Sequence, residues 1–542
     1  MKRQPSARHA SSLGWAGALV TGLALVAVAI MLVVLFGVFD AQHFGSVTGF
    51  FTPDPSDAGG ALGLVGGAEG VTLSIVLICV MFGIQTSSSR YSPRIIGIFT
   101  RNPLNALVLS FVLASILYTF LVRAEVKVNY VPMASVVAAE VLALIDFAIL
   151  FPYVIYIFEV MRADTLVGQI MRRAPRNLKN RDDLMGSIAQ VSDIAFGSIQ
   201  LGDMPVAVLC IDELGTFVGR TYLPAKKKGM KPEWFKVAHA ELPGASDQII
   251  AEVNRARTWF EYTVMTSFVE MVGLTPIHRK EAVHAIAVAT RNIGLAAIDV
   301  GDPEVAELCV RFFNTYLRTA INSSAPTFAS GIMNEYRRFA IGALEWRRDL
   351  AVEAASHLLR YGRHFDEAGM PATFGAAAED VADLAIEARV RDPQVSFRLA
   401  QLLVRNLHEL IPNARPIGLN GLFKGVAKLT CWAMAADEKD IAHVLIEGIA
   451  AAPPDFVDAA LARMESLQNG LFWEVNERVI SFDWMEQPLR EQIPRLRAAL
   501  VRTKSSGNGA LTDAVEAAPA VAEDLVKPSR PNPAVEVPQP AG

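Results

Sequence analysis

The sequence predicts an all-α protein with a four-helix transmembrane domain, a large α-helical cytoplasmic domain and a disordered C-terminal tail. Of its 542 residues, 52% are hydrophobic and only 19% are charged, which is too apolar for a soluble protein of this length. Four long apolar runs occupy the first third, and helical periodicity with little β-branched alternation follows. We therefore expect a membrane domain over residues 1–160, a cytoplasmic domain over 161–502 and a tail over 503–542.

Charge and cysteine content exclude several classes of protein. The formal net charge of −5 gives no reason to expect nucleic acid as a partner. Cys79, Cys210, Cys309 and Cys431 are far apart and form neither a CxxC pair nor a His/Cys ligand pattern. We therefore expect no zinc site and no disulfide framework, and a reducing compartment.

The apolar runs are each long enough for a helix that crosses a bilayer, which needs ~17–25 residues. They cover residues 13–39, 70–86, 104–122 and 131–160. Lys2, Arg3 and Arg8 precede the first run as they would precede a signal peptide, but the run is much longer than the roughly 7–15 apolar residues of such a peptide. The first helix is therefore expected to remain as an anchor.

The distribution of basic residues predicts the orientation. No Lys or Arg occurs between Arg8 and Arg90, and the segment after the first run carries acids up to Glu69, so this segment is expected to face outward. Basic residues crowd the segment after the fourth run: Arg162, Arg172, Arg173, Arg176, Lys179 and Arg181. Both termini and the whole chain after residue 160 are expected in the cytoplasm.

The stretch GIQTSSSRYSPRIIGIFTRNP, residues 83–103, allows two interpretations. In the first it is an interfacial hairpin in which Arg94 and Arg101 contact lipid phosphates. In the second its first part lines the cytoplasmic mouth of a polar path, where side-chain oxygens replace the water around an ion. The candidate residues of this mouth are Gln85, Thr86, Ser89 and Arg90, together with Ser87 and Ser88.

Two acids, Glu140 and Asp146, stand inside the fourth apolar run. A carboxylate there costs roughly 2.5–3.5 kcal/mol on insertion scales, so neither is expected to face lipid. They serve either as hydrogen-bonded acids that fix helix packing or as a relay for protons or cations. The antiparallel third helix offers Tyr118 and Thr119 at the depth of Glu140, and Ser110 and Ser115 at the depth of Asp146.

Two motifs resemble a bacterial family of predicted four-pass membrane proteins that contain a domain of unknown function. The first is QTSSSRYSPRIIGIFTRNP followed by LVLSFVLASILYTFLV, and the second is SDIAFGSIQLGDMPVAVLCIDEL. Gly202-Asp203-Met204 stands where the family typically has Asn-Asp-Pro. The resemblance implies a membrane protein of the bacterial inner membrane and no particular chemistry. The matching positions are Gln85, Ser89, Ser92, Pro93, Arg94, Ser198, Asp203, Ala207, Cys210, Asp212 and Leu214.

The cytoplasmic part shows helix starts about 23 residues apart, near Asp302, Pro326, Asp349, Pro371 and Asp392. Two such spacings, about 46 residues for a pair of helices, are close to the ~40–47 residues per pair of HEAT-like arrays, although a compact bundle remains an alternative. Thr275 and Pro276 are expected to begin a further helix. A lysine cluster is expected either to be a solvated loop or to contact anionic lipid; it consists of Lys226, Lys227, Lys228 and Lys231.

The sequence contains no P-loop, no G-x-S-x-G elbow and no G-x-G-x-x-G after a strand, so we expect no catalytic residues, no cofactor and no metal. The first functional hypothesis is a non-enzymatic scaffold or regulatory protein, whose partners are the bilayer, a cytoplasmic protein and further copies of itself. The second is an oligomeric channel or transporter that uses the intramembrane acids. An enzyme of unrecognised type is the third.

Overall fold

The computed structural model describes residues 54–90, 103–128, 130–242, 244–411, 416–468 and 484–505, together with positions 31, 34 and 35. The regular structure of these residues is helical, apart from one isolated antiparallel bridge between Lys127 and Tyr130. The chain divides into two units, Met1–Ile170 and Met171–Gly542. The all-α prediction is confirmed. The predicted tail covers residues 503–542, and its part after Ser505 lies outside the described residues.

The first unit contains three long helices: α1 (Pro55–Arg90), α2 (Pro103–Glu125) and α3 (Met133–Val160). Each contacts the other two. All three are long and apolar enough to cross a membrane. Many of their large apolar side chains point outward, as lipid-facing residues do: Leu64, Ile78, Met81, Phe82, Leu113, Phe120, Leu144 and Phe151. The predicted span 13–39 lies outside the described residues, except that Met31, Val34 and Leu35 are helical and exposed.

Helix α1 is much longer than the predicted span 70–86. It begins at Pro55 and has 36 residues, so it is about 54 Å long. Residues 55–69, expected in an outward-facing loop, are helical. The segment is rich in glycine, which disfavours helix in water, but a backbone in lipid must satisfy its own hydrogen bonds and glycine is therefore tolerated in membrane helices.

The second unit starts within α4 (Ala163–Arg173) and continues as a succession of helices. These are α5 (Arg181–Leu201), α6 (Met204–Thr216), α7 (Leu223–Gly229), α8 (Asp247–Ala256), α9 (Trp259–Leu274), α10 (Lys280–Val300), α11 (Pro303–Asn322), α12 (Pro326–Ala343), α13 (Arg348–Glu367), α14 (Ala372–Arg391), α15 (Pro393–Leu410), α16 (Pro416–Ala435), α17 (Lys439–Ala450), α18 (Pro454–Ser466), α19 (Gln487–Arg490) and α20 (Ile493–Ser505). A π-helical turn, Phe217–Tyr222, joins α6 to α7.

From α9 to α17 each helix packs against the next helix and against the one after it. One layer runs α10, α12, α14 and α16, and the other runs α9, α11, α13, α15 and α17. This is the packing of stacked helix pairs, the first of the two alternatives that the 23-residue spacing allowed. The predicted starts hold: the Asp302 side chain caps α11 by accepting from Val305 N, and Asp392 caps α15 by accepting from Gln394 N.

The predicted start at Thr275 is wrong. Thr275 closes α9, because its hydroxyl donates to the Met271 carbonyl oxygen at 2.7 Å, and α10 begins only at Lys280. Helix α10 is also long and apolar enough to cross a membrane. It packs within the second unit against α6, α11, α12 and others, and half of its most apolar window is buried there. We therefore assign it to the core of the second unit.

Candidate functional site

A layer of polar side chains crosses the middle of the three-helix unit, between two apolar clusters. On α1, Leu62 belongs to the first cluster and Val76 to the second, and Glu69 lies seven residues from each, so the three share one face of the helix. The clusters consist of Leu62, Tyr118, Val122, Val136 and Ala139, and of Val76, Val108, Val112, Tyr153 and Ile157. The end of the unit nearer Leu62 is called the Pro55 end below, and the other the Arg90 end.

Glu69 of α1 is at the centre of this layer. Its side chain is fully buried, and its Oε1 accepts a hydrogen bond of 2.5 Å from Ser115 Oγ of α2. Thr119, one turn further along α2, also lies beside this carboxylate. The second oxygen, Oε2, has no hydrogen-bond partner among the described residues. One carboxylate oxygen is thus available to a ligand inside the bundle.

Asp146 of α3 completes the layer. Its side chain is 1% exposed. The polar neighbours of its carboxylate are the hydroxyl group of Ser115 and the carboxylate of Glu69. Neither Oδ1 nor Oδ2 forms a well-aligned hydrogen bond with a described residue, and the same holds for the buried Thr119 Oγ1. Two carboxylates from different helices therefore converge on one serine, with three of their four oxygens unpaired. We call Glu69, Ser115, Thr119 and Asp146 the acid centre.

The acid centre offers only oxygen atoms, from carboxylates and hydroxyls. Such atoms bind protons and hard cations, whereas softer metals prefer sulfur and nitrogen. Among the described residues there is no group of three or more His, Cys, Asp or Glu side chains that could hold a metal ion. The centre is therefore suited to a proton or to one small cation shared by two carboxylates.

A cleft of about 200 Å³ opens beside the acid centre, between α1 and α2. Thr119 belongs to both the cleft and the centre, and Arg123 lies one turn nearer the Pro55 end. The cleft is lined by Leu62, Gly63, Gly66, Gly67, Thr119, Phe120 and Arg123.

Of the other residues predicted for the membrane site, Ser115 and Thr119 belong to the acid centre, whereas Glu140, Tyr118 and Ser110 do not. Glu140 is half-buried on α3. Tyr118, expected near it, donates instead to the Ser135 carbonyl oxygen at 3.5 Å. Ser110 is half-buried on α2, and Ser115 is the serine beside Asp146.

Sequence reasoning missed Glu69, because it assigned this residue to a loop. The signal was the seven-residue spacing of Leu62, Glu69 and Val76, which continues the apolar face of the span toward the N-terminus. The six glycines between residues 59 and 70 concealed it. Glycine-rich segments ordinarily indicate loops.

The candidate cytoplasmic mouth is only partly described. Gln85 is exposed and Thr86 half-buried, both on α1. Ser89 and Arg90 belong to the last turn of α1, but the structure does not describe their side chains. Arg94 and Arg101 lie outside the described residues.

Ser198, Asp203 and Asp212 of the second sequence motif, the candidate site of the cytoplasmic part, do not form one site. Ser198 is buried on α5, and Asp203 lies at the turn into α6, where its backbone N–H donates to the Ser198 carbonyl oxygen at 2.8 Å. Gly202 makes this turn possible, because its φ of 76° is in the left-handed region. Asp212 is nine residues further along α6, about 13 Å away along the axis.

Asp212 lines a different cleft, of about 380 Å³, between α6 and α10. The cleft also contains Lys280, Glu281 and His284. Partial burial raises the pKa of Asp212, and the nearby His284 acts in the opposite direction. The His284 Nδ1 is buried without a hydrogen-bond partner among the described residues.

Comparison with known families concerns the N-terminal part of the chain. Residues 11–206 match the model of DUF2254, a family of predicted membrane proteins. The match confirms the resemblance seen in the Ser-Pro-Arg motif. The DUF2254 region includes all three described membrane helices and the acid centre, and it ends just inside α6. Asp212 and the stacked helices lie beyond it. No curated protein matches the chain.

Proposed function

We propose that this membrane protein binds a proton or a small cation between Glu69 and Asp146, as a step of transport across the membrane. The observation that carries the proposal is the pair of buried carboxylates with three unpaired oxygens. An isolated buried charge costs several kcal/mol, and two carboxylates side by side also repel each other. A shared proton or cation relieves both costs. Transport would require a change in access to the centre, and a homo-oligomer would enclose it further.

Flux through reconstituted protein tests this function. Purified protein in liposomes is expected to pass protons or a cation down an imposed gradient, followed with a pH-sensitive or cation-sensitive dye. Glu69→Gln and Asp146→Asn are expected to abolish the flux, because an amide can neither release a proton nor neutralise a cation. Glu140→Gln is the matched control on α3 and is expected to retain it, since Glu140 is only half-buried. Equal flux in all four proteins, or none in the wild type, would refute the proposal.

Carbodiimide labelling gives a second readout that does not depend on flux. A hydrophobic carbodiimide adds to a protonated carboxyl group in an apolar site and leaves a stable acylurea, which mass spectrometry locates. We expect labelling at Glu69 or Asp146. Absence of label at both residues in folded protein would show that neither carries a proton there.

The arrangement of basic residues supports a bacterial inner-membrane protein with the Arg90 end, both termini and the second unit in the cytoplasm. Protease added to sealed spheroplasts is then expected to leave the second unit intact, and its digestion beside a protected cytosolic marker would reverse the orientation.

A second candidate function, a scaffold for a cytoplasmic protein, is favoured by one feature of the stacked helices. Trp346 lies just after the end of α12, and Val390 lies in the last turn of α14, in the same layer. Trp346 is 72% exposed and Val390 is 89% exposed. Exposed apolar residues at equivalent positions of an array are typical of binding surfaces. A photocrosslinker at Val390 should capture one defined partner that the same group at Glu353 of α13 does not. We infer a non-enzymatic role in either case.

A further inference from the structure

The cleft beside the acid centre owes its space to glycine. An added Cβ would meet nothing within 4 Å at Gly67, whereas at Gly66 it would meet Thr119 Cγ2 at 3.5 Å. Glycines on membrane helices ordinarily allow a neighbouring helix to approach closely. Here the described helices leave the glycine face of α1 open, and the space that results reaches Thr119.

Thr119 joins this cleft to the acid centre. Its side chain is 1% exposed, it lines the cleft, and it lies beside the Glu69 carboxylate. Its Oγ1 forms no hydrogen bond with a described residue. This oxygen is buried, and it is the Thr119 methyl group that faces Gly66. A hydroxyl both donates and accepts hydrogen bonds, so it can pass a proton to or from Glu69 when a water molecule from the cleft reaches it.

The acid centre is closed toward the Arg90 end. The apolar cluster around Val76 lies there, and the hydroxyl of Tyr153, a member of this cluster, donates to Asn105 Oδ1 at 3.2 Å. Both of these polar residues are almost fully buried. Among the described residues the cleft is therefore the path to the centre, and it lies on the side of the Pro55 end.

Arg123 places a positive charge on this path. Its guanidinium lies against Gly63, with Nη1 at 3.1 Å from the position of an added Cβ. An arginine keeps its charge at any physiological pH, so a metal cation would have to pass it at close range. A proton need not pass Arg123 as a cation. A water molecule in the cleft can give a proton to the carboxylate and leave as hydroxide, and in the reverse direction a hydroxide ion takes the acid's proton and leaves as water.

We propose that the glycine-lined cleft is the aqueous entry to the acid centre from the Pro55 end, and that Arg123 makes this entry one for proton transfer and not for metal cations. This inference rests on the proposed function and narrows its ligand to a proton. Arg123 acts as a positioning residue: it sets the electrostatic potential of the cleft and does not take up the proton itself.

Thiol accessibility tests the path and its charge. In full-length protein with Cys79→Ser, Thr119→Cys is exposed in sealed vesicles to two membrane-impermeant methanethiosulfonates, one anionic and one cationic. Asp54→Cys, exposed just before α1, marks the side of the Pro55 end, and Leu113→Cys, exposed on the outer surface of α2, is the control without water access. We expect Thr119→Cys to react from the side that Asp54→Cys marks, at least about tenfold faster with the anionic reagent, since close like charges repel strongly.

When Arg123→Gln is combined with Thr119→Cys, the faster reaction with the anionic reagent is expected to be mostly lost. Leu113→Cys is expected to stay unmodified. Reaction from the opposite side, or equal rates with both reagents, would overturn the inference. No reaction would overturn it as well, because a lipid chain or another helix would then fill the cleft.

The carbodiimide experiment separates this inference from the proposed function. Labelling of the acid centre is expected to fall as the pH rises and to be unaffected by Na⁺, K⁺ or Ca²⁺ salts. Protection by one of these cations would leave a cation-binding function intact but would refute the assignment to a proton. Absence of label at Glu69 and Asp146 would likewise refute the assignment to a proton, whereas absence of any proton or cation flux through the wild-type protein would refute the function itself.

Discussion

Lys226 illustrates how a single charged residue is accommodated inside the second unit. Its Nζ lies 2.8 Å from Glu261 Oε1 and 2.8 Å from Asp302 Oδ2, and the lysine and glutamate side chains are 9% and 0% exposed. The sequence placed Lys226 in a solvated or lipid-binding run, and this is wrong for Lys226 although Lys227 and Lys228 are exposed. A run of like residues does not reveal that one member points inward, because the partners are distant in sequence.

Lys226→Met is expected to lower the free energy of unfolding by about 3–5 kcal/mol, because it leaves Glu261 buried without its cation. Lys228→Met, two residues away and exposed, is the matched control and should change it by less than about 0.5 kcal/mol. Denaturant unfolding of the full chain in detergent, followed by circular dichroism, measures both. Equal effects would show that the contact with Glu261 is unimportant for stability.

The same pair predicts how stability depends on pH. Burial lowers the pKa of Lys226, but attraction to Glu261 and Asp302 outweighs it and raises the pKa above 10.5. Burial raises the pKa of Glu261, which is the more deeply buried partner. Part of the stabilisation by the ion pair is therefore offset by the cost of ionising this acid. Because the folded pKa of Lys226 is above the unfolded value, its contribution is present below pH 10.5 and disappears as the pH rises beyond it. The stability difference between wild type and Lys226→Met should shrink in that range.

At the scale of elements, α14 and α16 of the stacked helices cross with their backbones in close contact. A Cβ added at Gly421 would lie 2.7 Å from Gly375 Cα and 2.9 Å from Gly375 N, both of which are backbone atoms. The two helices therefore need glycine at this crossing, since backbone cannot rotate away as a side chain does.

Gly421→Ala is expected to destabilise the second unit by about 1–3 kcal/mol through overpacking. Gly186→Ala in α5 is expected to raise the stability of the second unit by up to about 1 kcal/mol, because open space surrounds that position and alanine favours helix. Thermal unfolding of both variants measures the difference, and a stabilised Gly421→Ala would contradict the close crossing.

Element boundaries also show what the sequence could predict. Asp302 and Asp392 marked helix starts correctly because capping is local, within three residues of the cap. Thr275 was misassigned, since a Thr-Pro pair after a helix looks the same as one before the next helix. The depth of Glu69 required knowledge of the helix that opposes it, and Ser115 is 46 residues away. Contacts of this range are not visible in a local pattern.

For the whole molecule, the division into two units predicts that residues 171–505 fold without the membrane part. Large side chains that are almost fully buried support this, such as Phe268, Phe313, Phe339 and Phe365. The fragment is expected in the soluble fraction as a helical protein with a cooperative thermal transition. A fragment that stays with the membrane pellet would show that α10 crosses the bilayer, against our assignment.

The acid centre joins α1 to α3, and this has a consequence for synthesis of the chain. Glu69 and Asp146 are about 77 residues apart, so at roughly 5–20 residues per second the ribosome needs about 4–15 s to make the second acid after the first. Ser115 is made 46 residues after Glu69, and Asp146 is made only at the end of this interval. We therefore expect Glu69 to be neutral, or α1 to stay beside the translocon, until both partners have been made.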